Sequence, residues 1–412
     1  MIRRTLQQAL LRYAVLVFSF SSRDLPVPLN STARAAATRP NPFSTKRFAN
    51  FRNAAGSITV LPKLGATIFG HDYFESELKL QTMTNHKEDN CKGIAVVIPC
   101  FKVVDHILEV IESIGTEVSH IYVVDDNCPD KSGNFVKENC KDPRVSILFN
   151  SINLGVGGAV MAGYQAAISH GCDVIVKIDG DGQMNPHLLS QFIAPILRGD
   201  ADYTKGNRFF NLEEIHQMPW GRIFGNSCLS FVTKISSGYW NLFDPTNGFT
   251  AIHAKVASHL PFHKISKGYF FETDMLFRLN TLRAMVVDIP MDAKYGNEIS
   301  NLKIRNVLPE FILKHLRNTV KRIFYNYYLR DMSLASIELP IGVVLSTFGV
   351  LFGAFHWMES LRNGVPSTAG TVMIAALPLI IGIQLILSFI GYDIASTPNQ
   401  AIHKNLRQGI WK

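Results

Sequence analysis

The chain has 412 residues, and its 41 Lys and Arg against 33 Asp and Glu give a formal net charge of +8. Residues 1–82 hold 11 basic and 4 acidic residues, residues 83–301 hold 19 and 24, residues 302–330 hold 7 and 1, and residues 331–412 hold 4 and 4. The excess is therefore local, which disfavours a uniformly basic surface of the kind that binds nucleic acid.

Residues 1–90 form a basic segment that we predict to be a disordered tail. It is rich in Arg, Ala, Ser and Thr, and its apolar run at residues 14–20 is too short to span a membrane. The composition fits a mitochondrial-type presequence. It also fits translated upstream sequence, because Met83 stands shortly before the first predicted strand, and we favour this second interpretation.

Residues 91–301 predict an α/β domain. Apolar runs rich in β-branched residues alternate with helical patterns, the former at residues 94–98, 121–124, 145–148 and 174–178, the latter at residues 104–114, 132–140 and 158–169. Strands separated by helices predict a mainly parallel sheet flanked by helices. Ligands of such sheets bind beyond the carboxyl ends of the strands, so functional residues are expected there.

Acidic residues follow two of these strands. Asp125 and Asp126 follow the second strand, and Asp179 and Asp181 flank a glycine after the fourth. Carboxylates gathered at one edge repel one another unless a cation lies among them, and oxygen ligands suit Mg²⁺ or Mn²⁺. An ordinary polar turn is the alternative for a single motif. The parallel positions favour a site in which Asp179 and Asp181 bind a metal ion that carries a diphosphate.

A glycine-rich segment, Asn-Leu-Gly-Val-Gly-Gly at residues 153–158, opens the helix after the third strand. Free amides at the start of a helix favour phosphate or another anion. The alternative is a turn that merely packs closely, and the sequence leaves both interpretations open. The motif is not the dinucleotide fingerprint, because Val160 stands where the third glycine would be.

These motifs, with Val-Val-Ile-Pro at residues 96–99 and Lys-Gly-Asn-Arg at residues 205–208, stand in the order and spacing of family 2 glycosyltransferases. The chain resembles this family from about residue 93 to about residue 305. The resemblance implies the GT-A fold and a nucleotide-diphosphate sugar donor. Together with two apolar stretches near the C-terminus, it looks most like the polyprenyl-phosphate branch, which includes the dolichyl-phosphate mannose synthases.

The resemblance also implies donor-side roles for five residues. Pro99 and Asp126 would border the nucleobase and the ribose, Asn153 and Gly155 would contact the nucleotide sugar, and Asp179 would hold the metal and the diphosphate. The usual Asp-Asp-Gly-Ser turn of the family is Asp-Asp-Asn-Cys at residues 125–128 of this chain, which leaves the base preference open.

The catalytic residues that the resemblance implies are Asp181, Arg208, Glu272 and Asp274. Asp181 would share the metal ion, and Arg208 would face the phosphates of the donor or the acceptor. One of Glu272 and Asp274 would contact the acceptor or the transferred sugar. The alternative for these two carboxylates is a surface pair on an amphipathic helix.

Residues 302–333 form a basic amphipathic segment before the membrane. Apolar residues recur at helical spacing and cations occupy other faces, which predicts juxtamembrane helices in the interface, with the cations near lipid phosphates. The alternative is a solvated helix packed on the domain. The Ser-Lys-Leu of the mannose synthases is Ser-Asn-Leu at residues 300–302, so the acceptor phosphate is expected to meet Lys303 or Arg305 instead.

Residues 334–392 predict a transmembrane hairpin, followed by a cytoplasmic tail at residues 393–412. The stretches 339–357 and 369–392 contain no charged residue and are 19 and 24 residues long. As helices they would reach about 28 and 36 Å, enough to cross a hydrocarbon core of about 30 Å. The alternative is a pair of buried core helices. Lys and Arg flank both ends, so the positive-inside rule places the large domain in the cytoplasm.

These features predict an inverting, metal-dependent transfer of one sugar from a nucleotide-diphosphate sugar to polyprenyl phosphate at the cytoplasmic face. The predicted partners are that donor, that acceptor and membrane lipid, without nucleic acid, and self-association stays open. One alternative is a transferase that acts on a hydroxyl and needs a base from Glu272 or Asp274. Others are a processive synthase, whose usual Gln-x-x-Arg-Trp motif is absent from the sequence, and a non-catalytic membrane scaffold.

Overall fold

A computed structural model describes residues 93–210, 220–292 and 304–406 of the protein, and for residues 222 and 304–307 it describes the backbone alone. The predicted tail at residues 1–90 and the predicted acceptor residue Lys303 lie outside the described residues. Arg305 lies in a described helix, but its side chain is not described.

Seven strands of the described chain form one mixed sheet in the order β3-β2-β1-β4-β6-β5-β7. They are β1 (Ile94–Cys100), β2 (His120–Asp125), β3 (Val145–Phe149), β4 (Val174–Lys177), β5 (Tyr203–Asn207), β6 (Thr250–His253) and β7 (Val286–Pro290). Strands β1 to β4 pair in parallel, β5 pairs in parallel with β7, and β6 runs antiparallel to both β4 and β5. All strands except β6 therefore end at the same edge of the sheet.

Helices cover both faces of this sheet. They are α1 (Ile107–Glu112), α2 (Ser132–Asn139), α3 (Val156–Ser169), α4 (Leu189–Arg198), α5 (Trp220–Ser237), α6 (Ala254–Ala257) and α7 (Phe271–Leu282). Successive strand residues face opposite cores: Val96 lies in the core with α1, α2 and α4, and Val97 in the core with α3 and α7. Burial on both faces explains why β1, β2 and β4 are nearly continuous apolar runs, whereas β3, at the edge of the sheet, is only half-buried. The predicted α/β class, with a mainly parallel sheet between helices, is confirmed.

Two long apolar helices, α9 (Ala335–Asn363) and α10 (Ala369–Ala395), form the predicted C-terminal hairpin. Both are long and apolar enough to cross a membrane, and only 11% of the most hydrophobic window of each is buried. The alternative of buried core helices is therefore wrong. Glycines let the two backbones approach, because a Cβ atom at Gly342 would lie 2.9 Å from the carbonyl oxygen of Gly382.

Helix α8 (Ile304–Phe324) joins the domain to this hairpin through a π-helical turn at Tyr325–Arg330. One side of α8 packs on α5 and α7 and buries His315, Asn318 and Arg322. The other side exposes a row of apolar side chains four residues apart: Leu308, Ile312, Leu316, Val320 and Phe324. The packing of α8 on the domain agrees with the alternative given for this segment, and its location in the membrane interface stays a prediction with which the exposed apolar stripe is compatible.

The segment after α10 returns to the domain. The carboxylate of Asp202, which is fully buried, accepts hydrogen bonds from the backbone amides of Ile402 and His403, at 2.9–3.0 Å. The ring Nδ1 of His403 lies 2.7 Å from the same carboxylate, and the ring stacks on His253. The chain thus contacts the domain both before and after the hairpin.

Candidate active site

Carboxylates from several loops lie near the edge at which the parallel strands end. Asp125, at the end of β2, is 4% exposed and stabilises the start of α2. Its Oδ1 accepts a hydrogen bond from the amide of Cys128 at 2.7 Å, and its Oδ2 accepts one from the amide of Gly133 at 2.6 Å. Negative charge at the N-terminus of a helix is favourable, so this carboxylate shapes the edge.

Asp126 holds the neighbouring loop. Its side chain is 3% exposed, and its Oδ1 accepts hydrogen bonds from Asn150 Nδ2 at 2.8 Å and from the amide of Leu154 at 2.9 Å. Its Oδ2 accepts one from the amide of Gly155 at 2.6 Å. The sequence predicted Asp126 at the ribose. In the structure its described contacts all fix residues 150–155.

The glycine-rich segment packs against the loop before α7. Gly155 has φ +81°, and its amide points to Asp126. The amide of Gly157 donates to the carbonyl oxygen of Lys267 at 2.8 Å. A Cβ atom at Gly157 would lie 2.6 Å from the carbonyl oxygen of Ser266. These amides bond within the protein, so the structure favours the alternative of a closely packed turn over that of a phosphate cradle.

Asn153 and Pro99 are two further residues that the sequence predicted at the donor. Asn153 is exposed, and its Oδ1 accepts a hydrogen bond from the amide of Gly155 at 3.1 Å. Pro99 is half-buried near the end of β1, beside Val124 of β2.

Lys177, which sequence reasoning missed, joins two of the predicted site residues. It is the last residue of β4 and is 1% exposed. Its Nζ lies 2.8 Å from Asp179 Oδ1 and 3.2 Å from Glu272 Oε1. Burial lowers the pKa of Lys177, but the two carboxylates outweigh that effect and hold the pKa above its ordinary value, so the ammonium group stays charged. The available signal was a lysine inside the apolar run at residues 174–178.

Asp179 and Asp181 could hold a divalent cation together with a ligand. The Asp179 side chain is 29% exposed, and Asp181 Oδ1 accepts a hydrogen bond from the amide of Gln183 at 3.1 Å. Gly248 leaves space beside the first carboxylate, because a Cβ atom there would collide with Asp179 Oδ2 and Lys177 Nζ. Among the described residues, no group of three or more His, Cys, Asp or Glu could hold a metal. Two carboxylates fit the way Mg²⁺ binds with the phosphates of its substrate.

Arg208 is held by a buried carboxylate. Its Nε lies 2.7 Å from Asp244 Oδ2, and its Nη2 lies 3.0 Å from Asp244 Oδ1. Burial raises the pKa of Asp244, but Arg208 outweighs that effect and the pKa lies below its ordinary value. The pair is therefore ionised, and a guanidinium group fixed in this way is suited to phosphate oxygens.

Lys205 is a second buried lysine near the site. Its Nζ donates to the carbonyl oxygen of Asn247, and burial lowers its pKa to about 8. This contact fixes the loop that contains Asp244 and Gly248.

The carboxylates of Glu272 and Asp274 go to different partners. Glu272 reaches Lys177, whereas Asp274 is 5% exposed and binds the amide of Ser266 and the side chain of Asn318, each at 2.9 Å. The alternative of a surface pair is wrong, because both side chains are largely buried. The structure thus brings Asp179 and Glu272 together through Lys177 and directs Asp274 toward α8.

Comparison with known proteins decides the family. The glycosyl transferase family 2 domain matches residues 95–260. The undecaprenyl-phosphate mannosyltransferase of Micrococcus luteus is 32% identical over 175 residues, which are 42% of this chain and 71% of that relative. The chain belongs to glycosyl transferase family 2. The predicted glycosyltransferase is confirmed, and the family together with the sheet topology confirms the predicted GT-A fold class.

Other similar proteins have names that include different sugars. The UDP-N-acetylglucosamine–dolichyl-phosphate N-acetylglucosaminyltransferase of Methanococcus voltae is 27% identical over 255 residues, which are 58% of this chain and 97% of that relative. A solved structure of glucosyl-3-phosphoglycerate synthase from Mycobacterium tuberculosis, in complex with Mn²⁺ and UDP-glucose, is 17% identical with a TM-score of 0.44. The matched region is 57% of this chain and 81% of that one. A likeness this weak gives no information about substrates.

Proposed function

We propose that the protein transfers one sugar from a nucleotide-diphosphate sugar to polyprenyl phosphate at a membrane surface. The names of the M. luteus and M. voltae relatives support this acceptor, since both include a polyprenyl-type lipid phosphate. The same names differ in the sugar, mannose in one and N-acetylglucosamine in the other. The proposal therefore specifies the acceptor class and leaves the sugar open.

The observation that carries the proposal is the state of the two carboxylates that were candidates for a general base. Both oxygens of Asp274 accept hydrogen bonds inside the protein, and Glu272 pairs with the charged Lys177. A sugar hydroxyl needs a base to remove its proton, whereas a lipid phosphate is already anionic at neutral pH. A site in which both candidate bases are occupied suits the anionic acceptor.

The reaction we propose is a single displacement. A phosphate oxygen of the acceptor forms a bond to the anomeric carbon while the bond from that carbon to the donor diphosphate breaks. Attack from the face opposite the leaving group inverts the configuration, and the nucleotide diphosphate departs with the bonding electrons. Asp179 and Asp181 would hold Mg²⁺ or Mn²⁺, which would neutralise the charge that grows on the leaving diphosphate.

Other residues of the chain would bind and orient the substrates. Arg208, fixed by Asp244, would bind phosphate oxygens. Pro99 and the exposed Asn153 would border the nucleotide, and Asp126 would act by fixing the loop that contains Asn153. Lys303 or Arg305 would meet the acceptor phosphate.

Exposed apolar side chains support the membrane surface as the place of reaction. The neighbouring helix α5 also exposes apolar side chains, with Trp220 83%, Phe224 66% and Phe231 57% exposed. Arg317 and Lys321 on other faces of α8 would lie near lipid phosphates. The Lys and Arg that flank the hairpin support a cytoplasmic orientation of the domain.

A matched pair of acceptors tests this proposal. The purified protein in lipid vesicles would be given a labelled nucleotide sugar with either a polyprenyl phosphate or the free polyprenol of equal chain length. The expected result is a labelled lipid with the phosphate alone. Transfer to the free polyprenol at a comparable rate would support the hydroxyl-acceptor alternative. Absence of metal-dependent donor binding would support a scaffold.

A further inference from the structure

Asp274 connects the candidate site to the helix that approaches the membrane. Its Oδ1 accepts a hydrogen bond at 2.9 Å from Nδ2 of Asn318 on α8, and its Oδ2 accepts one at 2.9 Å from the amide of Ser266. Asp274 is 5% exposed and Asn318 is 6% exposed. The hydrogen bond between α7 and α8 is therefore shielded from water. A hydrogen bond in such surroundings is electrostatically stronger than one in water.

The opposite side of the same helical turn reaches the donor side of the site. Glu272 precedes Asp274 by two residues, and residues two apart on a helix point about 200° apart around its axis. Glu272 accordingly reaches Lys177, which also binds Asp179. The first turn of α7 thus lies between the end of β4 and α8.

The loop at Ser266 adds a second link. Lys314 of α8 places its Nζ 3.3 Å from Ser266 Oγ, so α8 and Asp274 hold this residue together. The next residue, Lys267, accepts the hydrogen bond from Gly157 in the glycine-rich turn. A displacement of α8 would therefore also shift Glu272 and Asp179 near the end of β4 and the glycine-rich turn that Asp126 holds.

We propose that Asp274 is a positioning residue that keeps α8 at a fixed position relative to the carboxylates of Asp179 and Asp181. It would set the distance between an acceptor phosphate bound near α8 and a donor bound at Asp179 and Asp181. This inference rests on the proposed function and replaces the catalytic role that the sequence predicted for Asp274. A positioning role requires a hydrogen bond between residues 274 and 318, and either residue can supply the carboxylate.

An exchange of the two side chains tests this requirement. In Asn318→Asp, two carboxylates face each other, and kcat/KM for polyprenyl phosphate is expected to fall about tenfold while the KM for the nucleotide sugar stays within about twofold. In the double variant Asp274→Asn with Asn318→Asp, the amide at 274 can donate to the carboxylate at 318 and still accept from Ser266. Its kcat/KM is expected to return to within about threefold of wild type.

Two outcomes would overturn the inference. One is an unchanged kcat/KM in Asn318→Asp. The other is a double variant that remains as inactive as Asn318→Asp while it melts like wild type, because a catalytic carboxylate at 274 cannot be replaced from position 318. Asp200→Asn, the same chemical change at a carboxylate that is 59% exposed, is the matched control and should leave activity unchanged.

Amide hydrogen exchange separates this inference from the proposed function. Asn318→Asp is expected to speed exchange at Ser266 and in the first turn of α7, and the double variant to restore the wild-type rate. Equal exchange in all three proteins would overturn the link between the helices. A wild-type protein that transfers no sugar to polyprenyl phosphate would contradict the proposed function, and the exchange result would still decide the link.

Discussion

At the scale of single residues, the buried ammonium group of Lys177 balances carboxylates from two different elements. Asp179 lies two residues after the end of β4, whereas Glu272 lies on α7, 95 residues from Lys177 along the chain. A carboxylate in a poorly solvated site is costly without a partner. Lys177 therefore supplies a positive charge between the two carboxylates where the donor would bind.

We expect Lys177→Met to destabilise the domain. The change keeps an unbranched side chain that is one atom shorter but leaves Asp179 and Glu272 without their cation, and loss of one partner of a buried pair costs about 3 kcal/mol. The melting temperature should fall, and addition of Glu272→Gln should recover part of the loss. Melting of the single variant together with wild type would contradict this account.

A buried acid at the end of the sheet gives a stability that depends on pH. Asp288 Oδ2 accepts hydrogen bonds from Asn207 Nδ2 and the amide of Phe243, while Oδ1 has no hydrogen-bond partner among the described residues. Burial raises the pKa of Asp288 from 3.8 to about 6. The carboxyl group of Asp288 thus binds its proton more tightly in the folded state than in the unfolded state. The folded protein therefore loses stability as the pH rises from about 4 to 6.

Asp288→Asn should remove that loss. The variant is expected to melt a few degrees above wild type at pH 8, where wild-type Asp288 is charged. The difference should shrink at pH 4.5, where the folded wild type is protonated. Thermal unfolding at both values checks this expectation, and a difference that does not change with pH would contradict it.

Residue types could be predicted at the site more readily than their partners. The acids after β2 and β4 stood out because strand ends are recognisable in the sequence. The contacts of Asp126 and Asp274 were missed because they join residues 8 to 44 positions apart. Local pattern holds no information about which distant amide a carboxylate will meet.

At the scale of elements, a buried ion pair joins α8 to the end of the hairpin. Arg322 of α8 is 2% exposed and Asp393 of α10 is 4% exposed. Arg322 Nη1 and Nη2 lie 2.6 and 3.0 Å from the two carboxylate oxygens of Asp393. Trp240 Nε1 and the hydroxyl of Tyr327 donate to the same carboxylate. The pair therefore fixes the second helix of the hairpin against the domain.

Asp393→Asn should weaken the attachment of α10 to α8 and to the domain. The change leaves the guanidinium group of Arg322 buried without its counter-charge, at a cost of about 3 kcal/mol. Asp331→Asn is the matched control, because Asp331 is 49% exposed and its pairs with Arg283 and Arg330 should contribute at most about 1 kcal/mol. Melting temperatures in detergent check both variants, and equal effects would contradict the assignment.

The elements that sequence reasoning predicted are those with strong periodicity. Strands β1 to β4, their helices and the hairpin were predicted because apolar runs mark them. Strands β5, β6 and β7 were missed, since polar residues interrupt their apolar pattern: Thr, Lys and Asn in β5, Thr and His in β6, and Asp in β7. The antiparallel insertion of β6 depends on pairing between distant segments, which no local pattern specifies.

At the scale of the whole molecule, the chain meets the domain on both sides of the hairpin. Helix α8 packs on α5 and α7 before the first apolar helix, and His403 binds Asp202 after the second. If the hairpin spans a membrane, the domain and residues 401–406 must lie on one side and the turn near Val365 on the other.

Cysteine labelling in sealed vesicles tests this arrangement. In a background with Cys91, Cys140 and Cys228 replaced by Ser, Lys404→Cys and Asp200→Cys should react with a membrane-impermeant maleimide from the same side. Val365→Cys, at a position that is 63% exposed, should react only from the opposite side. Labelling of all three from one side would contradict a spanning hairpin.

The measurement closest to the central claim is the formation of a lipid-linked sugar by the purified protein. Vesicles with polyprenyl phosphate would receive a panel of labelled nucleotide sugars, with Mg²⁺ or Mn²⁺ or with a chelator, and Asp181→Ala as the matched inactive variant. We expect a labelled polyprenyl-phosphate sugar from one donor, lost with the chelator and with Asp181→Ala. Equal product from Asp181→Ala, or no labelled lipid from any donor, would contradict the account.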